Sequence, residues 1–189
     1  MMPAEARRRI SEPEALDALS HPVRLELIDY LMAAGPATAS ACARAVGDSP
    51  SNCSYHLRVL AKVGLVGVVA SEDGRERPWE ALITGFDVGS ADPGTEATPE
   101  ETHLEALSLQ LDQRRAREYL ARRDHEPRRW REAAFYNGYT LRVTPAELRD
   151  LRDKLDALIR PYIAATRADR PRGSALVQVG TQGFRLEEK

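Results

Sequence analysis

Between residues 12 and 83, apolar side chains recur at the three- and four-residue steps of helices and are cut by turn signals. Ser11 and Glu14 stand in capping-box spacing and predict a helix from about residue 12 through Leu16 and Leu19, stopping at His21-Pro22. Pro22 opens a second helix, where its missing N–H costs nothing. Val23, Leu27, Ile28 and Leu31 give that helix its inner face, and Gly35-Pro36 ends it. Thr38 is placed to cap a short third helix, Ala39 to Val46, closed by Gly47. Asp48 or Ser49 then caps a fourth, with Pro50 in its first turn. Cys53, Leu57 and Leu60 line the inner side of this fourth helix, and Gly64 supplies its C-terminal stop. The period then changes. Leu65 to Ala70 is a β-type run, Asp73-Gly74 is a hairpin signal, and Trp79, Ala81 and Ile83 alternate with Glu80 and Leu82 on a return strand. Four helices followed by a hairpin with a charged tip is the order of a winged helix-turn-helix.

Residues 84–98 hold three Gly, one Pro and few large apolar groups, which predicts a linker or long surface loop. Thr98 and Glu101 make another capping box, with Pro99 at the first helical position, and a long helix to about Arg123 follows. Its stripe of Leu104, Leu107, Leu111 and Leu120 is interrupted by Arg114, Arg115 and Glu118. Ala134 to Val143 reads as a strand pair or bent strand, turning at Asn137-Gly138. Thr144 and Glu147 open a helix carrying Leu148, Leu151, Leu155, Leu158 and Ile159, which ends near Pro161. Ala175 to Val179 and Phe184 to Leu186 read as short strands. The expected fold class is therefore mainly α with small β elements (α+β). It comprises a winged helix-turn-helix over 12–83, a linker over 84–98, and a C-terminal helical or α+β segment over 99–189 for dimerisation or effector binding.

Composition narrows the class. The 189 residues are 42% hydrophobic and 30% charged, with a formal charge of −2 from 27 basic and 29 acidic side chains. That near-balance excludes a histone-like binder whose affinity comes from bulk charge. No apolar run approaches the roughly 20 residues needed to span a bilayer, and the N-terminus has charge but no apolar stretch behind it. Two cysteines, Cys42 and Cys53, are too few for an exported disulfide scaffold. The expectation is a cytoplasmic protein with reduced thiols and no membrane partner.

Two stretches carry a family resemblance. Leu19-Ser20-His21-Pro22-Val23-Arg24-Leu25 resembles the signature that opens the second helix of ArsR-type bacterial regulators. Ser49-Pro-Ser-Asn-Cys-Ser-Tyr-His-Leu-Arg-Val-Leu60, followed by Lys62-Val-Gly-Leu-Val66, is similar to their recognition helix and its exit. The resemblance covers about residues 12–83. It implies a homodimeric, double-stranded-DNA-binding transcription factor, usually a repressor, tuned by a second signal. It also implies that the helix after the wing packs on its mate in a second subunit. The other reading of that leucine stripe is packing on its own chain.

The residues support a DNA-binding surface without the analogy. From Ser49 to Ser71 there is no acidic side chain, so the fourth helix can lie against phosphates without repulsion. Ser51, Asn52, Ser54, Tyr55 and His56 offer hydrogen-bonding groups of a size for base edges in a major groove. Arg58 and Lys62 suit phosphates, and the free N–H groups at the helix start suit another. Arg75 and Arg77, on the hairpin tip, are candidates for a neighbouring backbone or minor groove, although Glu72, Asp73 and Glu76 leave that tip near neutral. The bland reading is a solvated helix face, with His56 partly turned inward. A winged-helix protein-interaction module without DNA binding is the alternative from another class.

Other chemistry is weaker. Many relatives chelate metal through Cys-x-Cys on the third helix, where this chain has Cys42 with Ala41 and Ala43 beside it. Asp124-His125-Glu126 is a poor chelate because adjacent helical residues diverge, and His103 is distant in sequence. No phosphate loop, nucleophile elbow or His-Glu-x-x-His pattern occurs, and a Cys53–His56 pair would still need an orienting group and a cleft. No metal, cofactor or enzymatic activity is expected. Residues 114–131 carry eight arginines and three acids, read as a solvated face or as added anion contacts. Trp130, Phe135, Tyr136, Tyr139 and Tyr162 have two readings: an aromatic pocket for a small-molecule effector, or ordinary core.

Overall fold

The computed structural model describes residues 7–70, 77–89, 94–163 and 171–187. It opens with strand β1 (Arg8–Ile10), then helices α1 (Pro13–Leu19), α2 (Pro22–Ala34), α3 (Ala39–Val46) and α4 (Pro50–Lys62). Strands β2 (Val66–Val68), β3 (Trp79–Ala81) and β4 (Phe86–Val88) follow, then the long helix α5 (Pro99–Arg122). Short helix α6 (Arg128–Ala133) and helix α7 (Pro145–Ile159) are the last helices among the described residues, with single 3-10 turns after α5 and α7. The fold is mainly helical with small sheets, as its period pattern predicts.

Local chemistry sets the helix starts. Thr38 accepts a hydrogen bond from the Ala41 N–H, and Ser49, rather than Asp48, accepts one from Asn52. Thr98 with Glu101 and Thr144 with Glu147 form complete capping boxes. Ser11 does not cap α1. The helix begins at Pro13, so the cap position falls on Glu12, which makes no side-chain capping bond, and the Ser11 N–H instead donates to the Glu12 carboxylate. Gly47 and Gly64 take left-handed backbone at +72° and +70°, turning the chain out of α3 and α4.

β2 and β3 pair antiparallel, Val66 opposite Ala81 and Val68 opposite Trp79. β3 is also tied on its other side, where Ala37 and Trp79 exchange two backbone bonds of 2.9 and 2.8 Å. The expected hairpin is therefore present, anchored to the α2–α3 turn. Its expected tip, with Asp73, Gly74 and Arg75, lies outside the described residues.

Two boundaries differ from expectation. Phe86–Val88, inside the stretch read as a linker, is a strand pairing parallel with Arg8–Ile10. The core is also larger than 12–83. Ile10, Leu104 and Leu111 join Leu16, Leu19, Leu27, Ile28, Leu31, Leu57 and Leu60 in one buried cluster. α5 thus packs on α1, α2 and β4 of its own chain, and the stripe read as a subunit contact is largely used internally. Arg114 to Glu26 at 2.5 Å and Arg115 to Asp29 at 2.8 Å fix α5 to α2.

The C-terminal part departs further. Among the described residues beyond α5 there is no strand, so 134–143 and 175–187 lie outside any sheet. α7 has no fully buried residue; Leu148, Leu151, Leu155 and Ile159 are half-buried and Leu158 is exposed. The period-two pattern of these stretches is real, but pairing needs a neighbouring edge that the described chain does not supply.

Candidate nucleic-acid interface

α3 and α4 form a helix-turn-helix pair held by an apolar seam. Cys42 and Ala43 of α3 meet Cys53, Leu57 and Leu60 of α4 in the core, while α2 packs behind both. Burying that side of α4 fixes which side faces out. Ser51, Asn52, Arg58 and Lys62 are exposed, Tyr55 is 59% exposed, and Ser54 is half-buried. These residues follow one another along a single rigid helix, so their spacing is set by its 1.5 Å rise per residue.

His56 belongs on the other side. It is only 6% exposed, with its ring 4.5 Å from that of His21, and its Nδ1 is buried without a hydrogen-bond partner. The expectation that it reads a base edge is therefore corrected: helical spacing puts it beside Cys53 and Leu60, on the core face. Burial lowers the pKa of both histidines, with charge from His21 and Arg24 adding to the effect on His56. His21 also accepts the Val23 N–H at its Nδ1, 3.2 Å, which caps α2.

Asp48 changes the start of α4. Its Oδ1 accepts the Ser49 N–H at 2.6 Å and its Oδ2 accepts the Asn52 side-chain amide at 2.7 Å. The Ser49 N–H bond, then that of Asn52, holds its carboxyl below the usual range, so it is a fixed negative charge at neutral pH. The run from Ser49 onward is free of acids, yet the turn before it brings one against Asn52. The start of α4 is therefore a poor phosphate seat. Asn52 keeps its carbonyl oxygen and one amide hydrogen for a base edge.

A better seat lies alongside. A groove of about 400 Å³ runs between the start of α3, the outer side of α4 and β3, lined by Ser40, Ser51, Ser54, Arg58, Arg77 and Trp79. Two arginines and four hydroxyl-bearing residues, with Thr38 the fourth, line it. Among the described residues the arginine ion pairs lie elsewhere, on Arg7, Arg8, Arg114, Arg115 and the later helices. Arg77 and Arg58 line the same groove, while Arg75 lies outside the described residues. Trp79 and Ser40 were not singled out from the sequence. They reach the groove through the long-range Ala37–Trp79 bridge, which leaves no local signal.

The remaining candidates do not assemble. Cys42 and Cys53 are buried, and burial pushes the Cys42 thiol up to about 11 and raises that of Cys53 as well, so neither is primed as a thiolate. The aromatic residues read as pocket or core are neither. Trp130 is half-buried, and Phe135, Tyr136, Tyr139 and Tyr162 are exposed, Tyr136 at 98%. Trp130 lies on α6, Phe135, Tyr136 and Tyr139 on chain without regular secondary structure, and Tyr162 on the 3-10 turn after α7. The arginine run is largely paired: besides Arg114 and Arg115, Arg122 bonds Glu126 and Arg128 bonds Glu132 at 2.6 Å.

The match to a known family agrees with this geometry. Residues 19–69 match the family model described as a helix-turn-helix domain, spanning α2, α3, α4 and β2. No curated protein matches the chain. Among solved structures it is weakly similar to MepR, a transcription regulator of the Staphylococcus aureus multidrug efflux pump MepA, with 12% identity over 76% of each chain and a TM-score of 0.28.

Proposed function

We propose that this chain is a sequence-specific DNA-binding transcription regulator of the ArsR type, acting in the cytoplasm as a homodimeric repressor and as a binding protein rather than an enzyme. The observation that carries the reading is the two-sided character of α4. Its inner side is locked into the core, and its outer side presents Ser51, Asn52, Tyr55, Arg58 and Lys62. In this reading α4 enters the major groove, Asn52 and Tyr55 meet base edges, and Arg58 with Arg77 grips the backbone beside them. The helix-turn-helix match over 19–69 supports it. Two-fold symmetry sets the two recognition helices about 34 Å apart, one turn of duplex, and gives an inverted-repeat operator.

The test is selection of genomic fragments by the purified full chain, followed by binding to the enriched duplex and to a scrambled one. A shared inverted repeat is expected. Asn52→Ala and Tyr55→Ala should each cost about 1–3 kcal/mol on the enriched site and little on the scrambled one. Retention of no fragment, unaffected by either change, would instead favour a protein-interaction module.

A further inference from the structure

Hydrogen bonds from Asp48 and Ser49 organise the turn that leads into α4. Gly47 takes left-handed backbone, and the Asp48 N–H after it donates to the Ala43 carbonyl at 3.0 Å. The Asp48 carboxylate then spans the start of α4, with Oδ1 on the Ser49 N–H at 2.6 Å and Oδ2 on the Asn52 amide nitrogen at 2.7 Å. The Ser49 hydroxyl oxygen accepts the Asn52 backbone N–H at 3.2 Å. Asn52 is thus held by its backbone and by its side chain, yet it stays exposed on the outer side of the helix.

The side-chain hold decides how the amide is turned. An ionised carboxylate only accepts hydrogen bonds, so the Asn52 nitrogen, not its oxygen, faces Asp48. An unpinned asparagine amide presents either order by a half-turn about its last torsion. Here that half-turn would set the amide oxygen against a carboxylate oxygen. The amide has two hydrogens, and bonding through the one beside the carbonyl would also crowd two oxygens together, so the carboxylate takes the far one. What remains free is a single edge: a carbonyl oxygen that accepts beside an N–H that donates.

The neighbouring side chains impose no such order. Ser51 and Tyr55 carry hydroxyls, whose hydrogen turns to suit its partner, while Arg58 and Lys62 only donate. In the major groove adenine shows the N6 donor beside the N7 acceptor, whereas guanine shows two acceptors, N7 and O6. The free edge of Asn52 complements adenine, oxygen to N6 and N–H to N7. A free amide can turn both its hydrogens toward the two acceptors of guanine, but Asp48 already holds one of them and blocks that grip.

We infer that Asp48 is a positioning residue that makes Asn52 a reader of adenine, so that each half of the operator carries an A·T pair under the start of α4. The inference rests on the proposed function, in which α4 enters the major groove, and adds to it the base that is read there.

The experiment takes the duplex recovered by the genomic selection, exchanges each of its base pairs in turn, and measures binding by the full unaltered chain, Asn52→Ala and Asp48→Ala. Asn52→Ala should lose discrimination at one position in each half, and that position should be A·T. Replacing its adenine by 7-deazaadenine, which lacks the N7 acceptor, should weaken the unaltered chain roughly tenfold and leave Asn52→Ala unmoved. Placed at each adenine in turn, the analogue also locates the contact on the unaltered chain, with no variant required to fold. Asp48→Ala should bind every duplex more tightly, yet lose about tenfold of the preference for adenine over guanine at that position alone. Failure to enrich any duplex would remove the proposed function and this inference with it. With an enriched repeat in hand, a G·C pair or no pair at all at the position relaxed by Asn52→Ala, full affinity for the 7-deazaadenine duplex, or an adenine preference untouched by Asp48→Ala would each overturn the inference and leave the regulator reading standing.

Discussion

His56 shows how one buried ring ties the recognition helix to the rest of the core. It packs 4.5 Å from His21, which caps α2, and both have lowered pKa values because burial penalises the charged form. An unfolded histidine titrates near about 6.5, so below that pH the unfolded chain binds protons that the folded chain refuses. Stability is then full above the unfolded value and is lost as pH falls toward the folded ones. Protonating His21 would also turn its capping nitrogen from acceptor to donor. Urea midpoints measured between neutral and mildly acidic pH should therefore fall on acidification, and His56→Phe should flatten the fall. A wild-type midpoint constant across that range would contradict the burial argument. Asp48 is the other residue whose neighbours matter more than its type. Its fixed charge sits beside Asn52 at the start of α4, so Asp48→Ala should tighten binding to any duplex, most at low salt, and blur the preference Asn52 gives. Unchanged affinity for a scrambled duplex would count against that placement.

Elements were legible where their signals are local. Thr38, Ser49, Thr98 and Thr144 each sit one residue before a helix, and each accepts the backbone hydrogen bond their spacing predicts. The outer face of α4 followed from Cys53, Leu57 and Leu60 alone. Two local signals were misread, Ser11 as the cap of α1 and His56 as outward-facing; the other misreadings are of another kind. β1 and β4 are three residues each, Arg8 paired with Phe86, and nothing in Arg-Arg-Ile or Phe-Asp-Val announces a partner so far away in sequence. The leucine stripe of α5 was legible as a buried stripe, but not whose core it joins, because periodicity gives a face and no address. Thr98 offers a direct measure of a correctly read element. Its hydroxyl accepts the Glu101 N–H at 3.2 Å and its own N–H donates to the Glu101 carboxylate at 2.9 Å. Thr98→Ala should lower stability by about 1 kcal/mol, read as a shifted denaturant midpoint with an unchanged slope, and Thr98→Ser should restore most of it.

At the scale of the whole molecule, the question is how many copies of the arginine-lined groove meet one duplex. Arg58 and Arg77 face the same groove beside α4, so in the proposed mode each contributes a phosphate contact that releases counterions. The dependence of log affinity on log salt falls by about 0.9 for each such contact removed. In a complex with one copy bound, Arg58→Ala would flatten the slope by about that amount. In a two-fold complex the same substitution acts twice and flattens it by roughly 1.8, with Arg58→Ala and Arg77→Ala together doubling the change. Measuring affinity for an enriched inverted repeat and for one of its halves, each across a salt series, separates the cases. The full repeat should show twice the change seen on the half site, and both should keep their sequence preference, because these side chains grip the backbone and leave base reading to Asn52 and Tyr55. A slope unaffected on either duplex would remove Arg58 from the interface, and equal changes on both would mean that the second copy does not reach DNA.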